Sequence, residues 1–88
     1  MTPTEALGLT IRQLRKARGK SQEQLAHEAG LSLTSMARIE LGQQEVRFGT
    51  LLRLASALQL DGDELVAEVE QMLSKAPKAT RRQPVKRK

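Results

Sequence analysis

Apolar and polar residues follow one another along this chain with a period close to that of an α-helix, and glycines break the pattern at intervals. Leu7, Ile11, Leu14 and Ala17 form the first apolar set, and Gly19 follows where a left-handed C-terminal cap belongs. Ser21-Gln22-Glu23-Gln24 fits a capping box, with Ser21 at the N-cap and Gln24 reaching back to it. Leu25, Ala26 and Ala29 give the short second helix its buried side, and Gly30 closes it. Ser32 can cap a third helix carrying Met36 and Ile39 on one face, which Gly42 ends, and a polar loop runs from Gln43 to Arg47. Phe48, Leu51, Leu52, Leu54, Ala55, Leu58 and Leu60 occupy almost two faces of a fourth segment, which predicts a helix buried on most sides. Asp61 and Glu64 then suit a second capping box, opening a helix with Leu65, Val66, Val69, Met72 and Leu73 that Pro77 ends. No segment alternates like a strand. The pattern predicts an all-α fold: a compact bundle of five helices.

Composition narrows this further. The chain has 88 residues, 39% hydrophobic and 28% charged, which suits one small globular domain. Phe48 is the lone aromatic and cysteine is absent, so disulfides and thiolate zinc sites are excluded. Apolar runs are far shorter than the roughly 20 residues that span a bilayer. No signal-peptide pattern is present, and the lack of cysteine suits a cytoplasmic location.

Charge is uneven. Lys75, Lys78, Arg81, Arg82, Lys86, Arg87 and Lys88 crowd the last stretch without a single acid. Residues 1–74 hold the other eight basic side chains against ten acidic ones, a net charge of −2. The pI of 10.3 therefore belongs to the tail. With two prolines and no apolar periodicity, residues 76–88 are predicted to be a disordered basic tail behind a domain spanning 1–75. A nucleic-acid role for the domain must rest on where individual residues sit.

The segment Gln22–Glu40 carries the functional signal. Two short helices separated by about three residues, with Gly30 at the turn, describe a helix-turn-helix. Ala26 has to be small because the second helix crosses close to it, and Gly30 supplies the positive φ of the turn. Ile11-Arg12-Gln13-Leu14-Arg15-Lys16-Ala17-Arg18-Gly19, Ser21-Gln22 with Leu25-Ala26, Arg38-Ile39-Glu40 with Gly42, and Thr50-Leu51-Leu52-Arg53-Leu54-Ala55 with Ala57-Leu58 together resemble the Xre/Cro–cI family of phage-repressor-type DNA-binding domains. The likeness runs over about residues 7–66, five elements in order. Val46, where the family often has proline, and Gly49, where a better helix former is common, depart from it.

That resemblance implies that the third helix enters the major groove and its N-terminal residues touch base edges. Ser32, Leu33, Thr34 and Arg38 would be the readers: Leu33 or the Thr34 methyl against a thymine methyl, Arg38 bidentate to guanine. Gln22 matches the family's phosphate-binding glutamine, and Ser35, Gln43 and Arg47 would join it on the backbone. Arg15 and Glu40 stand where the family often has an ion pair, implying a partly buried bridge between the first helix and the end of the third. The bland alternatives are that Leu33 completes the core and that the polar residues form a solvated face.

One reading helix buries little surface, so such regulators usually act as dimers on two-fold-related half-sites. Leu65, Val69 and Met72 form one stripe of the fifth helix, and Val66, Val69 and Leu73 another about 100° round. One stripe should face the bundle and the other a second copy, with help from Leu58 and Leu60. An enzyme is not expected. His27, the only histidine, has no nucleophile or metal-ligand partner at useful spacing, and Asp61, Asp63 and Glu64 read as helix-start charges. Neither metal nor cofactor is expected. The expectation is a homodimeric, sequence-specific regulator of double-stranded DNA, probed against one rival: an antitoxin or adaptor module whose partner is a protein.

Overall fold

The computed structural model describes residues 1–74. Five helices appear among them, all α: α1 (Pro3–Ala17), α2 (Gln22–Ala29), α3 (Leu33–Glu40), α4 (Phe48–Ala57) and α5 (Gly62–Ser74). The basic segment 76–88 and the stop at Pro77 lie outside the described residues.

Side chains start most of these helices. Ser21 Oγ accepts from the Gln24 amide at 3.0 Å while Gln24 Oε1 accepts from the Ser21 amide at 2.8 Å, the reciprocal box expected for α2. Ser32 Oγ accepts from the Ser35 amide and starts α3. At α5 the Glu64 half of the box is present, its Oε1 accepting from the Asp61 amide at 2.8 Å. The first helix begins earlier than its apolar set suggested. Thr2 and Glu5 form a second reciprocal box in front of it, with Pro3 at the opening position, where a missing N–H costs nothing.

The helix ends share one device. After α2, Gly30 at φ 71° turns the chain so that the Leu31 amide reaches back to the Ala26 carbonyl at 2.8 Å. The same closure ends α4, where the Leu60 amide reaches the Ala55 carbonyl at 2.8 Å. There the left-handed position is held by Gln59, at φ 64°.

Ile11, Leu25, Ala26, Ala29, Met36, Ile39, Leu54 and Leu58 form the common core, so every helix of the motif contributes to one apolar centre. α1 crosses the end of α3 at very short range. A Cβ built on Gly8 would collide with the Ile39 carbonyl oxygen and lie 2.9 Å from that of Glu40. Backbone lies against backbone here.

Helix α4 departs from its expected burial. Leu54 and Ala55 are enclosed, with Leu58 just beyond the helix, but Phe48 is 73% and Leu52 43% exposed. Apolar residues on nearly two faces exceed what neighbours on one side can cover, and the surplus is left on the surface. Ala17, placed in the apolar set of α1, is likewise exposed.

Gly8→Ala is expected to destabilise the fold by about 1–3 kcal/mol, since the obstacle is backbone that cannot rotate away. Gln59→Gly should act in the opposite sense, gaining up to about 1 kcal/mol by relieving the left-handed position. Urea unfolding of the two variants against the parent chain measures both.

Candidate nucleic-acid interface

Three residues, Gly30, Leu31 and Ser32, separate α2 from α3, and the turn is held by the Gly30 closure at one end and the Ser32 cap at the other. Met36 and Ile39 anchor the inner side of α3 in the core. Its outer side is thereby fixed. Leu33 is 49% exposed, and Thr34 and Arg38, one turn apart, are also exposed. Leu33 does not complete the core. The surface offers apolar methyls, a hydroxyl and a planar guanidinium side by side, with none of the three tied to another side chain among the described hydrogen bonds.

The other residues expected at the interface differ in how free they are. Ser32 spends its hydroxyl on the helix cap. Ser35 is half-buried, and its hydroxyl accepts from Gln44 Nε2 at 3.4 Å. Gln43 and Arg47 are exposed on the loop between α3 and α4. Arg47 is the N-cap of α4 and makes no side-chain hydrogen bond to it, so the first amides of that helix keep free N–H groups beside a cation. The sequence carried this signal in having arginine where Ser, Thr, Asp or Asn would cap.

Arg15 and Glu40 meet in the interior. Arg15 Nε donates to Glu40 Oε2 at 2.7 Å and its Nη2 to Oε1 at 3.0 Å, a bidentate pair with side chains 10% and 3% exposed. The remaining arm, Nη1, donates to the Lys20 carbonyl at 2.9 Å. One guanidinium thus ties together α1, the turn before α2 and the last residue of α3. Gln22 joins the same cluster, its Nε2 donating to Glu40 Oε1 at 2.9 Å. A second brace was not anticipated: Arg53 Nε donates to the Ala29 carbonyl at 2.9 Å and its Nη2 to Thr50 Oγ1 at 3.2 Å, closing the end of α2 from α4.

The residues assigned to a dimer surface separate in the structure. Leu65 is fully buried against the chain's own core, so it has no surface to offer a partner, and the same holds for Leu58. Val69, Met72 and Leu73 are partly covered, and Val66 is 41% exposed. The open apolar surface is instead continuous with α4. Phe48 and Leu52 sit one turn apart, Leu52 packs against Gly62, and Val66 lies one turn beyond Gly62. Periodicity alone could not choose between two stripes; packing against α1 and α4 did.

A two-helix unit with a three-residue turn, set in a five-helix bundle with its second helix facing outward, is the geometry of the helix-turn-helix. A family model described as a helix-turn-helix domain matches residues 6–68, most of the chain. The chain belongs to the helix-turn-helix domain family. The sequence resemblance and the fold therefore agree. The cryptic phage CTXphi transcriptional repressor RstR of Vibrio cholerae is 43% identical over 51 residues, 58% of this chain and 46% of the repressor. The chain thus spans about half the length of that relative. The restriction-modification controller protein C.AhdI of Aeromonas hydrophila superposes with a TM-score of 0.68 at 39% identity, covering 70% of this chain and 94% of that one. The clp gene regulator ClgR of Corynebacterium glutamicum gives 0.79 at 26% identity over 86% of this chain and 82% of its own. These helix-turn-helix relatives are regulators by name and not enzymes. Among the described residues no helix is long and apolar enough to cross a membrane.

Glu40→Ala is expected to cost about 3 kcal/mol, because it strands a buried guanidinium. Glu23→Ala, on the exposed face of α2, should stay within about 0.5 kcal/mol of the parent. Thermal unfolding of both compares them directly.

Proposed function

We propose that this chain is a sequence-specific, double-stranded DNA-binding transcriptional regulator, a repressor or autoregulator that acts as a homodimer on an inverted-repeat operator. The observation that carries the reading is the outward set Leu33, Thr34 and Arg38 on a helix whose back is locked by Met36, Ile39 and the Arg15–Glu40 pair. A solvated face needs no such rigidity, whereas base readout requires side chains held in register with a groove. In this reading Arg38 bonds guanine through its two parallel donors, and Leu33 and Thr34 touch thymine methyls. Ser32 serves the reading helix chiefly as its cap. Gln22, Gln43, Arg47 and the free amides that open α4 bind phosphates on either side, and Ser35 supports them from beneath.

Electrostatics favour the same orientation. Glu40 is the lone acid of α3 and is matched by Arg15, so the face carrying Arg38 has no uncompensated negative charge of its own. The far side is acidic: Asp61, Asp63, Glu64, Glu68 and Glu70 line α5 and its approach. DNA would be repelled there, and a second copy would meet that side through its apolar residues. Phe48, Leu52 and Val66 supply its apolar contact, with Val69, Met72 and Leu73 at its margin. Two reading helices would then stand about 34 Å apart, one turn of B-DNA. The basic segment beyond residue 75 adds non-specific attraction to phosphates, and binding weakens steeply with salt. A protein of this kind works where its operator is, in the cytoplasm.

Selection of bound sites from random duplex DNA tests the function. An enriched inverted repeat is expected, and Arg38→Ala should lose about 1–3 kcal/mol of discrimination at one base pair of each half-site. Sequence-independent recovery would overturn the reading in favour of a protein-binding module. The dimer has its own measurement: Val66→Asp should shift the sedimenting species at tens of micromolar from dimer to monomer and reduce operator affinity, and a parent chain that sediments as a monomer would remove it.

A further inference from the structure

We infer that Glu40 is a positioning residue for phosphate binding: its carboxylate fixes which way the Gln22 side-chain amide faces, so that an N–H and not the carbonyl is presented to the DNA backbone. This rests on the DNA-binding reading above and adds to it the part played by a buried residue 18 positions away from Gln22.

Donor and acceptor chemistry fixes the orientation of the Gln22 amide. A carboxylate accepts and cannot donate, so the atom of Gln22 facing Glu40 Oε1 at 2.9 Å has to be Nε2. One of the two Nε2 hydrogens is thereby used inside the protein, and the other points away from Glu40. An unanchored glutamine at this surface would be free to turn its amide by half a rotation and set its carbonyl oxygen against a phosphate, which repels it. Anchoring removes that alternative before DNA arrives, and with it the entropy of choosing.

The carboxylate can do this near a phosphate only because its charge is matched. Arg15 engages both of its oxygens, at 2.7 and 3.0 Å, and is held in turn by the Lys20 carbonyl. Glu40 Oε1 therefore accepts two hydrogen bonds, from Arg15 and from Gln22. Gln22 itself opens α2, where the first amides of the helix lack intrahelical partners. The Gln24 amide is taken by Ser21 Oγ, so the second Nε2 hydrogen and the amides of Gln22 and Glu23 are the neutral donors left at this end of the helix for one phosphate.

A double-mutant cycle separates positioning from folding. Replacing the pair as Arg15→Met with Glu40→Met keeps the interior filled, since apolar side chains of similar volume commonly replace a buried ion pair without loss of stability. Affinity is measured on the duplex that the parent chain enriches from a random pool. Gln22→Ala is expected to weaken binding about fivefold, the worth of one net hydrogen bond. The paired methionine variant should lose at least as much, because the pair also holds α3, and adding Gln22→Ala to it should cost little more. The salt dependence should be the same in all four proteins, because a neutral donor displaces no counterion. A further loss of about fivefold when Gln22→Ala is added to the methionine pair would overturn the inference, as would parent-like affinity in the methionine variant. Failure to enrich any duplex would overturn the function and the inference together. A measurement on the free parent chain needs no variant: the two Gln22 Nε2 protons should resonate far apart, one of them bound to a carboxylate. Solvent-like shifts for both would also overturn it.

Discussion

Everything outward on α3 depends on how closely α1 crosses its inner end. At Gly8 there is no room for even one methyl group, and two turns further along Arg15 grips Glu40 through both carboxylate oxygens. The backbone contact fixes distance and the ion pair fixes rotation. Neither is a large source of stability by itself, because desolvating two charges offsets much of their attraction. Their value is that they permit one docking of α3 and penalise the neighbouring ones. A helix of only eight residues has little structure of its own, so its direction in space is borrowed from the elements it packs on.

The bundle divides its surfaces by chemistry. The helix-turn-helix side presents Arg38, Arg47 and neutral donors, its buried acid is compensated, and its exposed acids, Glu23, Glu28 and Glu45, lie on α2 and the α3–α4 loop. The α5 side carries acids and is apolar where Leu52 meets Gly62, one turn before the exposed Val66. The two surfaces share a single core, so a substitution such as one at Leu54 or Leu58 would disturb both, whereas Arg38 and Val66 can be changed independently.

Local rules carried most of the fold. The Ser21–Gln24 box, the Ser32 cap and the Gly30 stop are written within four residues of where they act, and each appears as read. Thr2 and Glu5 obey the same rule, but their helix begins with polar residues ahead of its apolar set, so periodicity gave no warning of it. Periodicity does not say which of two adjacent faces a neighbouring helix covers. Leu65 and Val66 are adjacent, and only the position of α1 and α4 decides that Leu65 turns inward and Val66 outward. Phe48 fits a helical stripe as well as Leu54 does, yet it lies at the first turn of α4, where no other helix reaches. The contact from Gln22 to Glu40 joins residues 18 apart through a carboxylate already paired with Arg15, and no spacing rule points to it. At the candidate interface, sequence patterning indicated which residues are outward and that Ser32 caps α3; the side-chain partners of Ser35 and Gln22 depend on the tertiary structure.

Phe48 has one more implication. With no tyrosine or tryptophan in the chain, its ring is the sole aromatic chromophore, and it stands largely in water. Anything that settles on the α4–α5 surface must change the surroundings of that one ring. The molecule therefore carries a built-in spectroscopic probe, undiluted by background from other rings, at the very surface where a neighbour would be felt.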